Sequence, residues 1–299
     1  MGDKTNIAWC DKTFNPWVGC TKVSLACDNC YAEKWAKRSG SVTWGGDRRR
    51  TSKANWKQPL RWDKEAKEKG IRYKVFCASL ADVFDNQVPD RWRMDLFELI
   101  ANTTHIDWLI LTKRIGNVQK MSTYDGIMFD VIMDKVWLGI TVCNQSEVIR
   151  DVPKLLEIPS KHKFLSIEPM LGPIELERHL GTYFNHYTNA FQQRKTEECC
   201  NGIDWVIVGG ETGINARPMF PAWVEWIKNQ CLMTKTAFFF KQWGEYLSPS
   251  QDLNNSINPK IHEEEAIDSL RLGKVVTYRV GKKKAGHLLD GQEYYQFPK

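Results

Sequence analysis

The sequence predicts an α/β fold, a (β/α) barrel of the TIM type, complete or partial, from three observations. Short apolar runs bounded by polar or turn residues recur along the 299 residues with helix-like stretches between them, which is the pattern of repeated βα units around a parallel sheet. The runs are continuous rather than alternating, as strands covered on both faces require. A hydrophobic content of 42% over this length suits one large core better than two small ones.

Taken in order, Ile7–Trp9 is a first strand that delivers a cysteine-containing loop, 13–33, and Tyr31–Lys37 is the helix after it. Lys74–Ser79, Trp108–Thr112, Val136–Val142, Lys163–Ile167, Trp205–Val208 and Ala237–Lys241 are the later strands. Between the first two of these, Arg91–Asn102 places Trp92, Leu96, Leu99 and Ile100 at helical spacing. The segment 181–202, rich in Tyr, Asn, Gln and charge and containing Cys199 and Cys200, interrupts two strands as a surface insertion or lid. The barrel occupies 1–247. From Ser248 short polar stretches take over, with a strand at Val275–Val280, so 248–299 is a C-terminal extension packed on the barrel rather than a separate domain.

In a barrel the working residues come from the carboxyl ends of strands and the loops that follow them. Those positions here are Ser79 and Asp82; Thr112, Lys113 and Arg114; Thr141, Cys143, Asn144 and Gln145; Ser166 and Glu168; Gly209, Gly210 and Glu211; and Lys241, Gln242 and Trp243. All are expected at one mouth, with Glu168 and Lys241 as catalytic candidates.

Three of the nine cysteines, Cys20, Cys27 and Cys30, lie in the loop 13–33, six residues and then two residues apart. That is a metal-ligand spacing. A structural zinc takes four protein ligands, and the first histidine is the distant His105. A 4Fe-4S cluster on three cysteines instead leaves one iron open. The alternative is a structural zinc loop that borrows Cys10 as its fourth ligand.

Asn15-Pro16-Trp17, Gly19-Cys20 and Cys27-Asp28-Asn29-Cys30-Tyr31-Ala32 together resemble the cluster loop of the spore photoproduct lyase-like branch of radical SAM enzymes. The whole chain also resembles a family of phage-associated three-cysteine-motif proteins of undefined activity. That resemblance extends to Ser166-Ile167-Glu168-Pro169, Gly209-Gly210-Glu211 and Phe240-Lys241-Gln242-Trp243-Gly244. The loop departs from the usual radical SAM pattern, which has three residues between its first two cysteines and an aromatic where Asn29 stands, so it wraps its cluster differently. The resemblance implies the partial form of the barrel, a 4Fe-4S cluster on Cys20, Cys27 and Cys30, and S-adenosylmethionine (SAM) cleaved reductively to a 5'-deoxyadenosyl radical. It implies SAM or substrate contacts at Ser79, Asp82, Lys113, Arg114, Ser166, Glu168, Gly209, Gly210 and Glu211. Gly209-Gly210-Glu211 matches the motif that holds the SAM amino group, although it follows a late strand rather than the second. Cys143 is the candidate hydrogen-atom donor. An electron donor such as a flavodoxin or ferredoxin, and a genome-neighbour partner protein, are further implied partners.

The net charge of +6 permits an anionic partner without requiring one. Arg48, Arg49 and Arg50, with Lys53, Trp56, Lys57, Arg61 and Trp62, interleave bases and aromatics just after the cysteine loop, and Lys282, Lys283 and Lys284 form a second basic run. Such residues neutralise phosphates and stack bases, which points to nucleic acid, DNA in particular, as the substrate; a solvated helix face is the plainer account. Irregularly spaced cysteines without a secretory pattern, and the absence of any apolar run near the roughly 20 residues of a membrane span, predict a cytoplasmic protein of a bacterium or phage-infected host cell with no membrane association. The alternative from another class is a non-enzymatic nucleic-acid-binding protein with a structural zinc.

Overall fold

A computed structural model describes residues 5–121, 132–180, 182–185, 190–193, 202–253, 257, 263–268 and 273–299. Seven parallel strands form one sheet in sequence order: β1 (Lys12–Phe14), β2 (Tyr73–Cys77), β3 (Ile106–Thr112), β4 (Val136–Thr141), β5 (His162–Ile167), β6 (Trp205–Gly209) and β7 (Ala237–Gln242). This is a partial (β/α) barrel. The chain divides into two compact units, Met1–Ile140 with Lys154–Lys163, and Thr141–Pro153 with Phe164–Lys299.

In the first unit, β2 and β3 are apolar runs buried on both faces, and Phe14, Val75, Cys77, Trp108, Leu109 and Ile110 are fully buried. Burying each large side chain contributes roughly 1.5–3 kcal/mol. The first strand lies five residues beyond its expected place. Ile7–Trp9 is instead a turn closed by Cys10 N donating to Ile7 O, 3.3 Å, while Trp9 is buried against Phe76, 4.6 Å between ring centroids. Lys12 and Thr13 are only half-buried because β1 is the edge strand, so the true strand lacks the continuous apolar signature of a covered one.

Besides a short helix at Lys53–Trp56, the helices of this unit are α1 (Tyr31–Ser39), α2 (Gln58–Lys69), α3 (Asp90–Ala101) and α4 (Ile115–Met121). α1 ends on Gly40 in the left-handed conformation, a common helix stop. α3 falls where the spacing predicts it and buries Leu96, Phe97, Leu99 and Ile100. It also buries Arg93, whose guanidinium is satisfied by Val83 O at 3.0 Å, Asp90 at 2.6 Å and Asp85 O at 3.2 Å.

In the second unit β5, β6 and β7 pair in register, Trp205 with Phe164 and Ala237. Trp205 is fully buried among Phe164, Phe239 and Phe297. Helices α5 (Gln145–Leu156) and α6 (Pro221–Thr234) follow β4 and β6 in the chain. The segment after β7 forms an antiparallel sheet in the order Tyr246–Leu247, Gly273–Arg279, Glu263–Asp268. Residues further on cover the free edge of β7: Phe240 N donates to Tyr294 O at 2.8 Å, and Gln296 N to Phe238 O at 3.2 Å. The interruption at 181–202 holds an antiparallel pair, Thr182–Asn185 with Ala190–Gln193, while Cys199 and Cys200 lie outside the described residues.

Candidate functional site

The cysteine loop leaves β1 and is bound to the segment that follows β2. Asn15 is the fastener. Its Oδ1 accepts from Leu80 N at 2.8 Å, its Nδ2 donates to Ser79 Oγ at 3.0 Å, and its carbonyl accepts from Thr51 Oγ1 and Asn55 Nδ2, each at 2.9 Å. Gly19 N donates to Leu80 O at 3.1 Å, and Tyr31 hydroxyl to Ser79 O at 2.7 Å. Ser79 is thus one of the anchors of the loop. Gly19 has φ 106°, and a Cβ there would lie 2.9 Å from Asp47 O, so the turn that presents Cys20 requires glycine. Ser24 caps a short 3-10 turn, Leu25–Cys27, and Cys30 stands at the N-cap of α1.

Beneath this loop lie two arginines and two aspartates. Arg114 Nη1 donates to Cys20 Sγ at 3.4 Å and to Asp82 Oδ2 at 3.0 Å, and its Nη2 to Thr21 O at 2.8 Å. Asp82 also accepts from Thr112 Oγ1 at 2.7 Å and from the backbone N of Phe84 and Lys113, each at 3.0 Å. Arg48 Nε donates to Asp85 Oδ2 at 2.9 Å, and its other nitrogens to Thr21 Oγ1 and Gly46 O. Burial pushes the Cys20 thiol up to about 11, with Asp82 adding to the rise and Arg114 opposing it. Burial works against the Arg114 charge, yet Asp82, Cys20 and Asp85 together hold the guanidinium above its usual value.

Two expectations change here. Arg114, expected to bind a SAM carboxylate or a phosphate, has its guanidinium engaged by Asp82, Cys20 and Thr21, and Asp82 is the acceptor that fixes it. Arg48, expected on a nucleic-acid surface, is 8% exposed and paired with Asp85. Arg50 is half-buried, ion-paired to Asp95 at 2.6 Å and stacked 4.2 Å over Trp56. Trp62 is fully buried, whereas Arg49, Lys282, Lys283 and Lys284 are exposed.

The surroundings of the three cysteines bear on the group they would hold. All three are free thiols, Cys27 buried and the others partly so. Cys30 packs with Trp35, Val42 and Trp44 against Val18, Ala32 and Leu80. Among the described residues, Trp44 Nε1 is buried without an acceptor. An orphaned N–H donor in the apolar cluster that also takes Cys30 suits a sulfur-rich group, whose sulfides accept hydrogen bonds. Among the described residues, no three Cys, His, Asp or Glu side chains are grouped so as to hold a metal ion. What fits the cluster is the donor set and its setting, not a finished coordination geometry. Cys10, the fourth ligand of the zinc alternative, precedes the amino end of β1, at the opposite end of the strand from the loop. Its Sγ lies 3.8 Å from Ile7 O and burial pushes its thiol up to about 12.

The second unit has its own polar centre at the carboxyl ends of its strands. Lys241 Nζ lies 2.7 Å from Glu168 Oε1, and Ser166 Oγ donates to Glu168 Oε2 at 3.3 Å. Both members of the ion pair are partly open to solvent, 26% and 14%. A Cβ at Gly209 would lie 2.7 Å from Glu168 Oε1, so this glycine leaves room for the carboxylate. Gly210 is packed against backbone, a Cβ there meeting Trp243 O at 1.9 Å. Glu211, expected at the SAM amino group, is instead clamped by Arg217, with Nε to Oε2 at 2.9 Å and Nη2 to Oε1 at 2.7 Å. Cys143, the expected hydrogen-atom donor, is fully buried in the cap of α5. Its N donates to Glu147 Oε2 at 2.8 Å, Glu147 N donates to Asn144 Oδ1 at 3.0 Å, and its Sγ lies 3.5 Å from Asn144 Nδ2. The thiol is thus buried and enclosed by the helix cap in this structure. Asn15, Asp85, Trp44 and Arg217 had no assigned role in the sequence reading; only Asn15, inside the Asn-Pro-Trp run, carried any signal.

Solved structures of spore photoproduct lyase are similar to this chain. One, a mutant with bound AdoMet and dinucleoside spore photoproduct, is 13% identical with a TM-score of 0.42, over 90% of this chain and 69% of that one. A second mutant is 14% identical with a TM-score of 0.43, over 93% and 71%. A complex with dinucleoside spore photoproduct is 14% identical with a TM-score of 0.41, over 88% and 67%. No curated protein matches the chain. The model of one family, described as a protein of unknown function (DUF5131), matches residues 4–298.

Proposed function

We propose that this chain, which belongs to the DUF5131 family of proteins of unknown function, is a radical SAM enzyme that acts on a nucleic-acid base. The observation that carries the reading is the loop holding Cys20, Cys27 and Cys30 as free thiols, fastened to the residues after β2 and touched by Arg114 at Cys20. When bound and reduced by a flavodoxin- or ferredoxin-class donor, a 4Fe-4S cluster on these cysteines would pass one electron to SAM, giving methionine and a 5'-deoxyadenosyl radical able to remove a hydrogen atom from substrate.

The chain's own residues position and exclude. Asn15 and Tyr31 hold the loop on Ser79 and Leu80, while Arg114, fixed by Asp82, holds Cys20. Glu168 and Lys241 present a carboxylate and an ammonium to polar groups of a ligand, with Ser166 orienting the carboxylate. Exposed Arg49 and Lys282, Lys283 and Lys284 supply phosphate contacts, so DNA is the favoured substrate and repair of a lesion or modification of a base the favoured outcome. An electron donor of the flavodoxin or ferredoxin class belongs to the same proposal.

Anaerobic reconstitution tests it. The protein should take up about four irons and four sulfides per chain and absorb near roughly 400 nm. Replacing Cys20, Cys27 or Cys30 with Ala should abolish the absorbance, and Cys10→Ala should keep it. With dithionite and SAM the loaded protein should release 5'-deoxyadenosine. A loaded protein that leaves SAM intact and shows no SAM-induced change in its electron paramagnetic resonance spectrum would overturn the enzyme reading. DNA binding should weaken with salt, and replacing Lys282, Lys283 and Lys284 with Ala should reduce the log-log slope by about 0.9 per lost phosphate contact on duplex. An unchanged slope removes that run from the interface.

A further inference from the structure

We propose that Arg114 and Trp44 are N–H donors that raise the reduction potential of an iron-sulfur cluster on the cysteine loop, and that Asp82 opposes them. The proposal rests on the cluster reading above. Arg114 already donates to the first cysteine, 3.4 Å from Nη1 to Sγ, from a side chain only 8% exposed. On the side of the third cysteine, Trp44 packs on the same three core residues as Cys30, Val18, Ala32 and Leu80, and its buried indole N–H has no acceptor among the described residues. Arg114 thus reaches the first cysteine, and Trp44 shares the apolar cluster of the third.

The sign follows from charge. Reduction adds one electron, and hence one negative charge, to the cluster. A cationic or neutral N–H donor to sulfur stabilises that charge, and hydrogen bonds to the sulfurs are among the factors that set cluster potentials. Asp82 and Asp85 lie 3.0 and 3.6 Å from the Arg114 guanidinium and offset its charge. With Arg48 also paired to Asp85, the four charged groups sum to zero. Removing one arginine leaves the loop facing a net negative charge, and neutralising one aspartate leaves it facing a net positive one. Arg114 and Asp82 are thus positioning residues whose removal shifts the cluster in opposite directions.

The test is a redox titration of the reconstituted protein, read by electron paramagnetic resonance with dithionite as reductant, alongside iron and sulfide content. Arg114→Met should lower the midpoint so that the reduced-to-oxidised ratio at a fixed potential falls about tenfold, which for one electron is about 59 mV. Trp44→Phe should lower it by less, Arg114→Lys should restore part of the Arg114→Met loss, and Asp82→Asn should raise it. Loaded variants with unchanged midpoints overturn the proposal and leave the cluster reading standing. So do shifts in one common direction, the mark of general loosening around the loop. Should Arg114→Met fail to fold, Asp82→Asn and Trp44→Phe decide the matter through their opposite signs. A wild-type protein that takes up no iron and sulfide overturns both this proposal and the cluster reading.

Discussion

Arg48 and Arg49 are adjacent in the chain and opposite in circumstance. Arg48 is 1% exposed in its side chain and paired with an Asp85 that is 3% exposed, while Arg49 is open to solvent. Replacing Arg48 with Ala leaves the buried Asp85 carboxylate only the more distant Arg114, 3.6 Å away, and should cost toward the lower end of about 3–5 kcal/mol in urea unfolding. Arg49→Ala should stay within about 0.5 kcal/mol. Equal costs would show that the pair does not hold the loop. The run of three arginines is legible as charge, but the partner that buries the first lies 37 residues on, and no local pattern announces it. Cysteine spacing was legible for the opposite reason, since its meaning is local. Glu211 and Cys143 show the limit of reading chemistry from strand ends. Both follow strands as expected, but the neighbours that engage them, Arg217 and Asn144, are not announced by the strand-end pattern.

At the scale of elements, six of the seven barrel strands lie where continuous apolar runs predicted them, because covered strands need nothing else. The edge strand β1 escaped because two of its three residues, Lys12 and Thr13, are only half-buried. Element ends carry electrostatics as well as geometry. Asp107, at the amino end of β3, meets Lys161 at 2.7 Å and Arg72 at 3.0 Å. Burial alone would raise its pKa, but the hydrogen bonds from Arg72 and Lys161 hold it below the usual carboxylate value. A carboxyl lowered in the folded state contributes stability that is present above its unfolded pKa and is lost as pH falls through the folded one. Wild type should therefore exceed Asp107→Asn in stability at neutral pH, and the two should converge as pH drops below the ordinary carboxylate range. Parallel curves down to the lowest pH would mean the ion pairs contribute nothing.

For the whole molecule, the barrel class followed from the alternation of runs, yet the division into two units did not, since its boundaries fall inside β4, β5 and α5 and leave no linker of distinctive composition. The C-terminal segment supplies edge pairing to β7, which its sequence did not announce. Tyr295 stacks on Phe239 at 4.7 Å, Phe297 meets Trp205 at 5.0 Å, and Trp243 Nε1 donates to Leu288 O at 2.8 Å. A chain cut after Leu247 should lose these contacts and be recovered mainly as insoluble protein; a soluble, cooperatively melting 1–247 would show that the segment is dispensable. The covering of β7 by residues near 294–297 also sets a schedule for the nascent chain. About fifty residues separate strand from cover, and at roughly 5–20 residues per second the ribosome needs several seconds to supply them. Throughout that interval the apolar edge Ala237–Gln242 has no partner on its outer side, an unpaired template of the kind that draws other strands into aggregation.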